Sequence, residues 1–267
     1  MTPRVYLTGA GPGDPELLTL KALRVIQSAG VILYDNLVSA AILDLAPPLA
    51  LRINVGKRCG RHSSPQFEIN RLLVEHGRSG QVVVRLKGGD PMIFGRATEE
   101  MRALEAHNIP YEVIPGVTAA AAAAASLGLS LTQRSVARSV HFLTGHGAED
   151  GRAGYGLPAH DWVALTRAGG TLVFYMGRET LTGLAAHLIE AGMSPAMPAI
   201  AVENASLPNE RITHAVLASL PRALRATETG DAAGSGAAGS GPTLIILGEV
   251  LQSAFNLSST IKMAATK

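Results

Sequence analysis

Val5-Tyr6-Leu7-Thr8-Gly9-Ala10-Gly11-Pro12-Gly13-Asp14 is the stretch that decides the fold, read with Glu16 to Ala29 and Val31-Ile32-Leu33-Tyr34 behind it. A short β-rich run ends in glycines. A helical pattern follows, with Leu17, Leu20, Leu23 and Ile26 at helical spacing, and a second apolar run closes on Asp35-Asn36. Strand, glycine turn, helix, strand is the pattern of a parallel α/β sheet. Glycines at such a turn permit tight turning and close backbone approach to a ligand. A dinucleotide-binding reading meets three objections: Pro12 removes an N–H, the spacing misses G-x-G-x-x-G, and no P-loop Lys-Ser/Thr follows. The other reading is a turn that only closes a βα unit.

The pattern continues outward. Residues 65–77 and 94–107 read as helices, and 82–86 and 111–114 as strands. A break falls at Pro115-Gly116 and sets the expected boundary between an N-terminal α/β domain, 1–116, and a C-terminal one, 117–257. Beyond it an alanine-rich helix lies within Val117 to Leu131. Strands are expected at 139–144, 171–176, 199–203, 210–215 and 243–248, with a helix at 181–191. The close succession of the last strands suggests antiparallel pairs. Thr227 to Gly241 is Gly/Ala/Ser-rich and reads as a surface loop between strands, and 258–267 as a disordered tail.

Composition bounds the function. The 267 residues are 47% hydrophobic and 16% charged, which suits a folded α/β protein and excludes wholesale disorder. A formal charge of +2 gives no ground for expecting nucleic acid. A single cysteine, Cys59, excludes a disulfide framework and points to a reducing compartment. No secretory signal is apparent, and the alanine-rich stretch is too short to span a bilayer. The expectation is a cytoplasmic protein without membrane or nucleic-acid partners. His62, His76, His107, His141 and His146 lack ligand spacing, and one cysteine builds no zinc site, so no metal is expected.

Arg85-Leu86-Lys87-Gly88-Gly89-Asp90-Pro91 ends another expected strand, followed by Ile93-Phe94-Gly95-Arg96. Ligands of open α/β sheets bind beyond the carboxyl ends of strands, so several glycine-rich strand ends describe a crevice. Asp90 either accepts hydrogen bonds from a ligand or caps the next helix; spacing does not choose. Lys57, Arg58, Arg61, Arg85, Lys87, Arg96, Arg134 and Arg138 concentrate in these blocks. They suit a carboxylate-bearing ligand, or make ordinary surface pairs.

Taken together, these blocks resemble the tetrapyrrole methylases. The matching segments are VYLTGAGPGDPELLTLKAL at 5–23, YDNLVS at 34–39, VGKRCGRHS at 55–63 and QFEINRLLVEHGRSGQVVVRLKGGDPMIFGRATEE at 66–100. VIPGVTAA at 113–120, LTQR at 131–134, TLVFYMG at 171–177 and PAIAVENAS at 198–206 follow in order. Within the family, GKR and RLKGGDP…FGR resemble the members that methylate uroporphyrinogen III on carbon, converting it to precorrin-2 at carbons 2 and 7 for sirohaem or cobalamin. The alternative is a methylase of a later corrinoid intermediate.

The resemblance implies two α/β domains, a homodimer, and S-adenosyl-L-methionine held in the cleft between domains, leaving as S-adenosyl-L-homocysteine. Carried over by position, Pro12, Gly88, Gly89, Asp90, Ile93, Thr118, Ala119, Met176 and Ala205 line the cofactor site. Asp35 matches the proton acceptor and Lys57 the proton donor, although Lys57 suits a substrate carboxylate equally well. Arg58, Arg61, Lys87, Arg96 and Arg134 are candidates for the substrate's carboxylates. Three departures stand out: Asn204-Ala205-Ser206 for a usual Asn-Gly-Thr, Ala97-Thr98 for Gly-Gly, and Gln133 for a usual His. Methyl transfer from a sulfonium to an electron-rich pyrrole needs no activated Ser or Cys, so Cys59 reads as incidental.

Overall fold

In a computed structural model of the chain, which describes residues 4–56, 65–147, 156–230 and 241–252, Val5–Gly9 (β1) lies inside a five-stranded parallel sheet. The sheet is completed by Val31–Tyr34 (β2), Leu51–Asn54 (β3), Val83–Lys87 (β4) and Tyr111–Ile114 (β5), in the order β3-β2-β4-β1-β5. The alternation along each strand sends side chains to two cores. Ile32, Val84 and Leu86 face Ala22, Val25 and Ile26 of Leu20–Gln27 (α1) and Ile42 of Ala40–Leu43 (α2). Val31, Leu33 and Val83 face Ile69, Leu73 and Val74 of Gln66–Gly77 (α3) and Leu104 of Ala97–Ala106 (α4). Helices thus cover both faces, and the strand order reverses beside β1.

Two helix starts differ from the pattern reading. The expected helix 16–29 is a 3-10 turn, Pro15–Leu17, followed by α1. Asp14 Oδ1 accepts the Glu16 N–H at 2.9 Å, and Thr19 Oγ1 accepts the Ala22 N–H at 3.1 Å, so two caps replace one. The helix expected from 94 begins at Ala97, because Phe94 and Arg96 hold φ of 52° and 54° and a right-handed helix cannot run through them. The short α2 and β3 carry too little periodicity to be read.

The chain forms two compact units that divide between Ala122 and Ala123, within Ala119–Ser126 (α5), whereas the sequence pattern points to Gly116. The second unit holds Val140–Thr144 (β6), Trp162–Ala168 (α6), Thr171–Tyr175 (β7), Leu181–Glu190 (α7), Pro198–Glu203 (β8), Arg211–Val216 (β9), Leu220–Gly230 (α8) and Thr243–Leu247 (β10). Its sheet runs β6-β7-β10-β8-β9, with β6 and β7 parallel and the other neighbours antiparallel. Leu181, Leu184 and Leu188 of α7 and Leu220 and Leu224 of α8 pack on Phe174, Ala201 and Ile245. The loop expected over 227–241 is corrected in part: residues 227–230 close α8, while 231–240, like the tail 258–267, lie outside the described residues. Among the described residues no helix is long and apolar enough to cross a membrane.

Candidate ligand site at the carboxyl strand ends

Three backbones converge where β1, β4 and β5 end. The Ala10 N–H donates to Lys87 O at 2.8 Å, and Gly11 and Gly89 exchange N–H···O bonds of 3.2 and 2.7 Å. A Cβ on Gly116 would stand 2.3 Å from Gly89 O and 2.9 Å from Gly9 Cα, so only a residue without a side chain fits there. Gly89 is the opposite case. Its φ of +68° favours glycine, yet a Cβ there meets nothing within 4 Å among the described residues. Among them, the face above Gly89 is bare backbone that a ligand can approach.

Asp90 locks this floor. Its Oδ1 accepts the Met92 N–H at 2.8 Å and its Oδ2 accepts the Gly116 N–H at 3.0 Å, joining the β4 and β5 ends. It caps the turn at 90–93 and not α4, whose N-cap is Arg96. Each carboxylate oxygen keeps a further lone pair, so a ligand donor can still be accepted. Pro12, Gly88, Ile93, Thr118 and Ala119 are all partly exposed around the same strand ends. The residues present fit a flat, donor-bearing group: a side-chain-free floor with a carboxylate at its rim.

Asp35 follows β2 at the same edge. Its Oδ1 accepts the Leu37 N–H at 3.0 Å, and Ser39 Oγ donates to Gly13 O at 2.7 Å, tying this loop to the glycine turn. Lys57, Arg58 and Arg61 lie outside the described residues, as does Cys59.

Lys87, a candidate for substrate carboxylates, is engaged inside the protein. It shares the inward face of β4 with Val83 and Arg85 and is only 4% exposed. Its Nζ donates to both oxygens of the fully buried Glu100, at 2.9 and 3.0 Å, and Arg85 Nε donates to Glu100 Oε1 at 3.0 Å. Burial first, then the Arg85 charge, holds the Lys87 ammonium below the ordinary lysine value, against the pull of Glu100 and Asp35. Arg85 NH1 stands 3.9 Å from Asp35 Oδ2. Arg96 remains at the surface, gripping Glu99 through Nε and NH2 at 2.8 and 2.7 Å. Glu100 escaped the sequence reading, although Ala97, Glu100 and Leu104 mark one buried helix face on which a carboxylate is out of place.

In the second unit, Met176 and Ala205 follow β7 and β8, the strands that flank the start of β10, so they share one sheet edge. Met176, Asn204 and Ser206 have φ of 56°, 52° and 68°, whereas Ala205 does not lie in the left-handed region. The backbone therefore accommodates alanine at 205 without strain. Among the described residues, five of the seven non-glycine residues with positive φ, namely Phe94, Arg96, Met176, Asn204 and Ser206, follow the carboxyl ends of strands, where functional strain is expected to gather. Arg134 is not brought to the Met176–Ala205 edge. It sits in an exposed turn beyond Leu131, whose carbonyl accepts Thr171 Oγ1 at 2.7 Å at the opposite end of β7.

Residues 4–221 match the tetrapyrrole (corrin/porphyrin) methylase family. The chain belongs to that family. A uroporphyrin-III C-methyltransferase from Thermus thermophilus, solved with S-adenosyl homocysteine, is 43% identical with a TM-score of 0.74, covering 94% of this chain and 99% of its own. A cobalt precorrin-4 methyltransferase superposes at a TM-score of 0.77 with 28% identity, over 92% of this chain and 95% of its own. A siroheme synthase from Pseudomonas putida is 48% identical over 93% of this chain but only 50% of its own length. This tetrapyrrole methylase thus spans about half the length of the curated relatives it matches. Its fold is that of the family: two α/β sheets with helices.

Proposed function

We propose that the chain is an S-adenosyl-L-methionine-dependent C-methyltransferase that converts uroporphyrinogen III to precorrin-2. The observation that carries this reading is the 43% identity, over nearly the whole of both chains, to a transferase of that name solved with the demethylated cofactor. Superposition alone does not choose the acceptor, since the precorrin-4 enzyme fits the fold at least as well. The GKR and RLKGGDP…FGR blocks favour the earlier substrate. Cytoplasmic location, a homodimeric state and service to sirohaem or cobalamin synthesis belong to the same reading.

When bound, S-adenosyl-L-methionine supplies an electrophilic methyl group on sulfur. Pro12, Gly88, Gly89, Asp90, Ile93, Thr118 and Ala119 are the residues proposed to hold it at the carboxyl strand ends of the first unit, and Met176 and Ala205 remain further cofactor candidates on the family resemblance. The chain's main contribution is position: a pyrrole carbon of the acceptor must be brought in line with that methyl. Carbon–carbon bond formation leaves the pyrrole cationic, and a proton must then leave the macrocycle. Asp35 is the group assigned to accept it, and Lys57 to return a proton or hold a carboxylate. Arg58, Arg61, Arg96 and Arg134 remain the cations proposed for the polycarboxylate substrate.

The test offers methyl-labelled cofactor with uroporphyrinogen III in one arm and a cobalt precorrin-4-type acceptor in the other. Label in the first tetrapyrrole and not in the second is expected. Label only in the second would move the enzyme to the later corrinoid step, and cofactor binding without transfer to either would remove the enzymatic reading.

A further inference from the structure

We propose that Glu100 of α4 is a positioning residue: with Arg85 and Lys87 it forms a buried charge cluster whose balance is closed by Asp35, and it thereby sets how readily Asp35 takes a proton. The inference rests on the reading of Asp35 as the proton acceptor.

The geometry places the cluster directly behind that carboxylate. Glu100 is fully buried and both its oxygens are engaged by Lys87 Nζ, with Arg85 Nε sharing Oε1. Arg85 NH1 also donates to Leu86 O at 3.0 Å, which fixes the guanidinium while it stands 3.9 Å from Asp35 Oδ2. Two buried cations and one buried carboxylate leave one positive charge in a place that solvent barely reaches. Such a charge is costly unless a partner answers it. The charged groups turned toward Asp35, among the described residues, are Arg85 and Lys87 of β4 and, behind them, Glu100 of α4. Its own loop contributes only the Leu37 N–H, on the other oxygen. Among the described residues Asp35 is thus the fourth charge, the one that answers this excess, and the only one of the four with substantial exposure, its side chain being 25% exposed. None of the three buried residues has to touch the tetrapyrrole.

A purely structural cluster and a charge-setting one differ in what happens when single charges are removed. Glu100→Gln makes the neighbourhood of Asp35 more positive and Lys87→Met makes it more negative. The acidic limb of the kcat profile is therefore expected to move to lower pH in E100Q and to higher pH in K87M, each by about half a unit to one unit. The double variant K87M/E100Q removes one charge of each sign, and its limb is expected back near the wild-type position. Turnover of E100Q on the plateau should fall by about two- to tenfold, as expected when a general base is weakened, while titration with S-adenosyl-L-homocysteine shows affinity within about twofold.

Shifts in one common direction, or lost turnover with no shift in any variant, would overturn the inference. Should E100Q not fold, K87M and the double variant decide it, since a K87M limb that stays put or moves down is the contrary result. Asp35→Asn run alongside separates the two levels. Asp35→Asn that turns over like wild type removes the proton-acceptor reading itself. An inactive Asp35→Asn together with an unmoved K87M limb removes only the role given to Glu100.

Discussion

Gly89→Ala isolates what the bare floor of the site is for. Its added methyl has no atom of a described residue within 4 Å, so no packing cost arises among them. The backbone cost is conformational. A φ of +68° places alanine in the left-handed region, at about 1–2 kcal/mol. That is a loss of roughly 2–4 °C in melting temperature for a protein of this size. The same methyl points into the open space above the Gly11–Gly89 bridge, where the cofactor is proposed to lie. Displacing a ligand from backbone contact there should weaken S-adenosyl-L-homocysteine by at least about tenfold, or 1.4 kcal/mol. Gly116→Ala is the steric counterpart. Its Cβ meets backbone on two sides, at 2.3 Å from Gly89 O and 2.9 Å from Gly9 Cα, so the strand ends must part, and stability should fall more than in G89A. The assay pairs thermal unfolding with calorimetric titration of the homocysteine product. A G89A protein that melts near wild type and binds with unchanged affinity would refute the placement of the cofactor over this floor.

Three other variants test separate elements. Thr8 is fully buried with an Oγ1 that finds no hydrogen-bond partner among the described residues, so Thr8→Val should raise stability by about 1 kcal/mol in denaturant titration, and a loss would mean the hydroxyl is engaged. Arg178 pairs with Glu203, which is 2% exposed; Arg178→Met should cost about 3 kcal/mol by leaving that carboxylate unanswered, with R178M/E203Q recovering most of it. Ala205 does not need positive φ, so Ala205→Gly should lower stability by about 0.5–1 kcal/mol through the unfolded chain and leave S-adenosyl-L-homocysteine affinity within about threefold. A large gain in affinity would show that the alanine obstructs the cofactor.

Much of the frame was legible because the βαβ signals are local. Val5–Gly9, Val31–Tyr34, Val83–Lys87 and Tyr111–Ile114 each announce themselves as apolar runs stopped by glycine, proline or an acidic residue. The α4 start was not, because Phe94 and Arg96 take left-handed backbone that only the surrounding turn enforces. The surroundings of Lys87 were not legible for a related reason. Counted with the basic residues of the glycine-rich blocks it reads as a candidate for a substrate carboxylate, while the two-residue period of β4 puts it on the Val83 face, where Glu100 from a different element meets it. A residue's neighbours across the sheet, unlike its neighbours along the chain, are set by topology. Gly9 and Gly116 show the same limit, since only the strand order β4-β1-β5 reveals why neither tolerates a side chain.

The central claim is carbon methylation of uroporphyrinogen III, and the product itself tests it most directly. The purified chain, given methyl-labelled S-adenosyl-L-methionine and uroporphyrinogen III under reducing conditions, should yield a tetrapyrrole whose NMR spectrum shows two labelled methyl groups. Each should lie on a former pyrrole carbon in a separate ring. Labelled methyls on nitrogen or on carboxylate oxygen, or a tetrapyrrole without label although the cofactor binds, would contradict it.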